Sequence, residues 1–152
     1  MKLSLPVGIV VSIVFFLSMI ITGCENRKVG LYEYVREGKK LIEQGKYQKG
    51  LMLLHKAYEE IPESRDIEEN LFFGYLKYAL YLEENGNLDQ SIEYLSMAHE
   101  MNPRDMVVMN NLALAMCKKA VEEASGGNYA RAMELVKPAA EMSLDSKIAR
   151  NN

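Results

Sequence analysis

The sequence has no tryptophan, only two cysteines and two histidines, and no clustered run of lysine and arginine. Neither histidine, His55 or His99, has a partner at the spacing that metal sites use. The sequence also contains no phosphate-binding glycine loop and no nucleophile elbow. Its 18 basic and 21 acidic residues give a net charge of −3, which disfavours nucleic acid as a partner because phosphate binding needs a clustered cationic surface. These absences argue against an enzyme, a metalloprotein and a nucleic-acid-binding protein.

A long apolar run without charged residues occupies positions 3–21. A run of this kind is typical of a signal peptide, although a membrane-spanning helix of about 20 residues would look similar. The run ends in the tetrapeptide Ile21-Thr22-Gly23-Cys24. This tetrapeptide resembles the lipobox of bacterial lipoproteins, in which the chain is cut before the cysteine and the cysteine becomes a lipid-modified N-terminus. The resemblance implies a signal peptide over 1–23, lipid on Cys24 and a tether over 24–30.

The lipoprotein resemblance also implies a location. In enteric-type bacteria an aspartate directly after the modified cysteine favours retention in the inner membrane, and Glu25 stands at that position here. We therefore expect a protein of the bacterial cell envelope that is held by its lipid in the outer membrane and faces the periplasm. Each buried methylene contributes about 0.8 kcal/mol, so two or more acyl chains anchor a protein stably without a spanning helix.

The rest of the chain repeats itself at an offset of 41 residues. The positions that coincide carry small or apolar residues, among them Gly45, Gly86 and Gly127; Leu54, Leu95 and Val136; and Ala57, Ala98 and Ala139. Self-similarity at such a period is typical of stacked-repeat proteins, in which each unit buries its apolar face against its neighbours. Apolar residues recur at three- and four-residue steps within each unit, which predicts helices. Glycine-containing turns divide each unit into two helices, and Pro62 and Pro103 end the second helix.

The units resemble tetratricopeptide repeats, whose pattern is W-x2-L-G-x2-Y, then A-x3-F, then P. The first unit matches this pattern with Tyr34, Gly38, Ala57 and Pro62. The resemblance implies an all-α fold of three tandem helix-turn-helix hairpins in a superhelical stack. We expect the repeat domain over 31–146, with units at about 31–64, 65–105 and 106–146, followed by a tail at 147–152.

The last unit departs from the repeat pattern. Pro138 falls inside its second helix, where it removes a backbone donor and is expected to kink the helix. A solvating helix usually closes such an array, and the few residues after the last unit leave no room for one. The sequence therefore predicts that this unit is frayed or that a partner covers it.

The tetratricopeptide resemblance implies a binding surface, because the first helices of such hairpins line a concave groove that binds peptides or partner helices. The corresponding positions are Tyr32, Val35 and Lys39 in the first unit, Phe73, Leu76 and Leu80 in the second, and Asn110, Leu114 and Val121 in the third. Such a groove is largely apolar, with an aromatic centre. The aromatic residues of the segment 70–82 are equally compatible with packing between two neighbouring hairpins.

These features predict a membrane-anchored adaptor that docks a protein or peptide partner from an envelope complex of the pilus, secretin or outer-membrane assembly type. The alternative is a periplasmic, chaperone-like holder of many apolar client peptides. We expect no small-molecule substrate and no cofactor beyond the covalent lipid on Cys24.

One cluster of sulfur-containing side chains could act as soft metal ligands. It consists of Met106, Met109, Met116 and Cys117. Thioethers with a thiolate can hold monovalent copper, but the spacing also suits packing on one apolar helix face. The sequence therefore predicts no metal site, and it predicts that Cys117 is an unpaired, buried cysteine.

Overall fold

The structure is a computed structural model that describes residues 30–151. The predicted signal peptide and Cys24 lie outside the described residues. Within the described range all regular structure is α-helical, and none of these helices is both long and apolar enough to cross a lipid bilayer. The six helices are α1 (30–43), α2 (Tyr47–Glu60), α3 (Arg65–Glu84), α4 (Leu88–Met101), α5 (Met106–Ser125) and α6 (Tyr129–Asn151).

Consecutive helices pair as hairpins, α1 with α2, α3 with α4 and α5 with α6, and each hairpin packs against the next. The turns within the hairpins contain Gly45, Gly86 and Gly127, whose φ angles are 74°, 77° and 84°. Residues with a Cβ atom rarely adopt this left-handed conformation, which explains why the repeat keeps a glycine there. The all-α fold of three tandem, tetratricopeptide-like hairpins that the sequence predicts is confirmed.

The turns between hairpins lie where the prolines predict them. Helix α2 ends at Glu60 and α4 ends at Met101, shortly before Pro62 and Pro103. Helix α5 then begins with a capped end, because the carboxylate of Asp105 accepts a hydrogen bond from the backbone N–H of Val108 at 2.9 Å. Such a cap satisfies a donor that has no partner inside the helix.

Helix α6 extends further than the sequence indicates. It continues through Pro138 without a break and ends at Asn151, so the tail predicted at 147–152 is helical through residue 151. The physical reason is that residues 139–151 contain neither glycine nor proline, and nothing else in their sequence forces the helix to stop. The second helix of the last hairpin is therefore formed.

The core runs along the stack and joins the hairpins. Leu54 and Leu95, at the same repeat position in the first two hairpins, are completely buried, and so are Ala57 and Ala98. The largest group of packed side chains links α1 and α2 to Ile67 and other residues of α3. Because apolar side chains pack across each joint between hairpins, the hairpins stabilise one another as a stacked-repeat fold requires.

Candidate functional site

Six of the predicted groove residues occupy two repeat positions on the first helices α1, α3 and α5. One position holds Tyr32, Phe73 and Leu114, and the other holds Lys39, Leu80 and Val121. We call the surface that carries these six residues the groove surface. The two positions are seven residues apart, so they lie on the same side of each helix, two turns from one another.

The first of these positions is apolar and open to solvent in every hairpin. Tyr32, Phe73 and Leu114 are each at least half exposed, and Val121 at the second position is exposed as well. A single exposed apolar residue is ordinary on a protein surface, whereas repeated ones on a shared face indicate contact with another molecule. Asn110, one helical turn before Leu114, is also exposed on this side of α5.

An open cavity of about 350 Å³ lies between α1 and α3, and Phe73 contributes to its wall. Charged side chains of both signs line the same cavity: Lys39 and Lys77, and Glu43, Asp66 and Glu69. An apolar centre with polar walls is the usual composition of a site that binds a segment of protein. The cavity therefore suits a peptide with both apolar and polar groups.

Two predicted groove residues lie elsewhere. Val35 is buried in the packed group that includes Leu71 of α3, and Leu76 is half-buried against the group that includes Leu112 of α5. Both residues occupy the repeat position that faces the next hairpin. The prediction that Val35 lines the groove is therefore corrected, because α3 covers its side chain.

The third residue at that repeat position is Cys117, which is exposed. The prediction of a buried cysteine is wrong, because no further hairpin follows among the described residues to cover it. Met109 is buried, and Met106 and Met116 are half-buried, so these methionines contribute to packing. In the part of the chain that the structure describes, no group of three histidine, cysteine or acidic side chains is arranged to hold a metal ion.

A hydrogen-bonded pair of rings lies between the first two hairpins. The Tyr75 hydroxyl lies 2.7 Å from Nε2 of His55, and the Tyr75 ring is buried among aromatic neighbours that include Tyr94. Burial raises the pKa of Tyr75 to about 12, and the nearby hydroxyls of Tyr94 and Tyr58 add to the effect. Tyr75 therefore remains protonated at neutral pH, and its pairing with His55 helps to hold the two hairpins together. Sequence reasoning did not detect this pair, because the two residues are 20 positions apart and belong to different hairpins.

A charged seam crosses the joint between the second and third hairpins. Lys119 of α5 lies 2.7 Å from the carboxylate of Asp89 and 3.3 Å from that of Glu123. The bond to Asp89 raises the pKa of Lys119, and a hydrogen bond from Asn128 lowers the pKa of Glu123. Ion pairs at a surface contribute little stability individually, so we expect the seam to add little to the free energy of unfolding.

No protein-family model matches the chain, and no curated protein matches it. Among the solved structures that are similar to part of it are two with the following names. The structure named "MamA MSR-1 C2" is 15% identical, with a TM-score of 0.33, and the match covers 76% of this chain and 78% of that one. The structure named "MamA AMB-1 P212121" is 13% identical, with a TM-score of 0.32, and the match covers 76% of this chain and 93% of that one.

Proposed function

We propose that the protein is a protein-interaction adaptor that binds a segment of a partner protein along the groove surface. The observation that carries this proposal is the exposed row of Tyr32, Phe73 and Leu114 at one repeat position of three consecutive hairpins. These side chains contribute little to the core, and an exposed apolar row is a liability unless another molecule covers it. Aromatic residues are also the type that contributes most to protein–protein affinity when it is buried in an interface.

The cavity beside Phe73 supports a partner with mixed chemistry. Lys39 and Lys77 stand on its walls with three acidic residues, so polar groups of a bound segment would find both donors and acceptors. Charges at the edge of an apolar contact influence partner choice and association rate more than affinity. The groove surface is thus better suited to one defined segment than to a purely apolar client.

We further propose that lipid on Cys24 anchors the adaptor in the bacterial envelope, at the outer membrane facing the periplasm, and that the partner belongs to a pilus, secretin or outer-membrane assembly complex. The support for this proposal is the lipobox-like sequence that ends at Cys24. Anchoring both molecules at one membrane would raise their effective concentration without any new contact.

The lipid proposal predicts the outcome of one substitution. Cys24→Ala is expected to leave an unprocessed precursor in the native host, because the residue that carries the lipid is absent. The measurement is the mass of the protein recovered from membranes, with unaltered protein as the control. Recovery of the variant at the normal mature mass would contradict the lipoprotein proposal.

The adaptor proposal predicts a position-dependent crosslink. A photoreactive phenylalanine analogue at Phe73 is expected to capture one dominant partner in cells. The matched control is the same analogue at Met52 on α2, which is 52% exposed compared with 54% for Phe73 and lies outside the groove surface. We expect no specific adduct from the control position.

Three outcomes of this experiment would contradict the proposal. Many unrelated adducts at Phe73 would favour the chaperone-like holder over the adaptor. The same adducts from both positions would show that capture does not depend on the groove surface. The absence of any adduct at Phe73 would show that the exposed row contacts no partner.

A further inference from the structure

The last hairpin exposes residues whose repeat equivalents are covered in the earlier hairpins. Tyr129 and Val136 of α6 are 70% and 41% exposed, whereas Leu88 and Leu95, at the same positions of α4, are 8% and 0% exposed. Met133 is 68% exposed, and its equivalent in α4 is half-buried. Together with the exposed Cys117 of α5, these residues form what we call the terminal face, which consists of Cys117, Tyr129, Met133 and Val136.

The same face of the first hairpin is covered by α3. A Cβ atom on Gly74 of α3 would lie 2.8 Å from Cδ2 of Leu51 in α2, and Leu51 is the repeat equivalent of Met133. The rings of Tyr47 and Tyr78 stack with their centroids 5.3 Å apart, and Tyr47 is the equivalent of Tyr129. The first helix of the second hairpin thus fills the position that is open beside α6.

Helix α5 covers the second hairpin in the same way. Its residues Leu112 and Ala115 are fully buried in one packed group with Leu95 of α4, and Leu76 of α3 lies against that group. The terminal face therefore consists of apolar residues at the same repeat positions that are covered at the two joints between hairpins. It continues the surface along which the hairpins stack.

The two covering helices share a sequence pattern. Each has an apolar residue, a second apolar residue four positions later, a small residue three positions after that, and a further apolar residue directly after the small one. These residues are Ile67, Leu71, Gly74 and Tyr75 in α3, and Val108, Leu112, Ala115 and Met116 in α5. The small residue leaves room for the covered hairpin: a Cβ atom on Gly74 would lie 2.8 Å from side-chain atoms of Leu51 and Ile42, and Ala115 is completely buried at the equivalent position.

The opposite end of the stack does not carry this pattern. Helix α1 has Gly30, Glu33 and Tyr34 at the positions of Leu71, Gly74 and Tyr75. Its acidic side chains pair along the helix surface, Glu33 with Arg36 and Glu37 with Lys40. At the small position the charged Glu33 would be taken out of water against an apolar face, and this loss of solvation is unfavourable even with Arg36 beside it. A second copy of this chain therefore cannot extend the stack by placing its α1 on the terminal face.

We propose that the terminal face binds an amphipathic helix supplied by a partner protein, which packs as the first helix of a fourth hairpin would. The helix carries the apolar, apolar, small, apolar pattern of α3 and α5 and spans a similar length. This site is separate from the groove surface, so the protein has two interaction surfaces, and the second one does not depend on the first.

A synthetic peptide with the sequence of α5, with serine in place of its cysteine, tests this proposal on the full-length protein purified in detergent. Bound peptide is expected to slow the alkylation of Cys117 at least about tenfold, as measured by the mass of the peptide that contains this residue. Val136→Asp should raise the dissociation constant by about tenfold or more, equivalent to about 1.4 kcal/mol. The matched control is Val107→Asp, at an exposed valine of α5 outside the terminal face, which should leave binding unchanged.

Other results would overturn the proposal. Equal affinity for Val136→Asp and for the unaltered protein would place the peptide elsewhere, and unchanged alkylation of Cys117 at saturating peptide would show that the terminal face does not bind this helix.

Sedimentation without peptide provides a further test. A dimer that Val136→Asp dissociates, with Cys117 already protected, would assign the face to a second copy. The peptide-binding, alkylation and sedimentation measurements do not depend on crosslinking at Phe73. A failure of the terminal-face proposal is therefore distinguishable from a failure of the adaptor proposal.

Discussion

Leu54→Ala and Leu95→Ala are each expected to lower the free energy of unfolding by about 2–5 kcal/mol, the usual range for a leucine in a closed core. Val136→Ala, at the same repeat position of the third hairpin, is expected to cost no more than about 0.5 kcal/mol. Leu54 and Leu95 are completely buried, whereas Val136 is 41% exposed. Alanine also favours a helix more than valine does, which offsets part of the loss at this position.

Urea denaturation followed by circular dichroism at equilibrium measures all three losses on the same protein. Stacked repeats can unfold in parts. The free energies of unfolding are therefore comparable only when the variants and the unaltered protein have the same transition slope. A loss of several kcal/mol for Val136→Ala would show that its side chain is covered in the free protein and would remove the terminal face. The large cost at Leu54 and Leu95 is the positive control, since it shows that the assay detects a covered residue at this repeat position.

The fold could be predicted from the sequence because its information is local and occurs three times. The glycines at 45, 86 and 127 mark turns that require a positive φ, and the prolines at 62 and 103 mark the ends of helices. Each signal concerns the conformation of a few neighbouring residues, which sequence patterns describe well. The end of α6 carries no such signal, so the helix extends past the predicted boundary.

The candidate site was harder to predict because two surfaces of each first helix are apolar. Tyr32 and Val35 are three residues apart and lie on adjoining parts of α1. The sequence places both in the groove, and only the position of α3 shows that Val35 belongs to the joint between hairpins. A pattern of apolar residues shows that a side chain will be covered, but it does not show by which neighbour.

Cys117 illustrates a different limit, which comes from the end of the array. Three hairpins form only two joints, so a residue that is covered in the first two units has no neighbouring hairpin to cover it in the third. The sequence predicts burial for Cys117 from its place midway along an apolar helix, and the structure shows exposure. The same end effect explains why the terminal face was not apparent in the alignment of the repeats, although Tyr129, Met133 and Val136 coincide there with residues of the earlier units.

Gly50→Ala is expected to lower the free energy of unfolding by about 1–3 kcal/mol, the usual cost of overpacking a core. In an exposed helix the same substitution would stabilise the protein by up to about 1 kcal/mol, so the expected sign is the reverse of the ordinary one. A Cβ atom at Gly50 would lie 2.7 Å from the carbonyl oxygen of Gly38 and 2.6 Å from Cγ1 of Ile42. Because the Gly38 oxygen belongs to the backbone, α1 and α2 would have to separate.

Gly30→Ala is the matched control, since a Cβ atom there meets nothing within 4 Å and no loss of stability is expected. The equivalents of Gly38 and Gly50 in the second hairpin are Ala79 and Ser91, both fully buried. Small side chains therefore fit between α3 and α4 but not between α1 and α2. Equal changes of the urea midpoint for Gly50→Ala and Gly30→Ala would show that α1 and α2 do not cross closely. The position of α1 would then be wrong as well, and with it the place of Tyr32 and Lys39 on the groove surface.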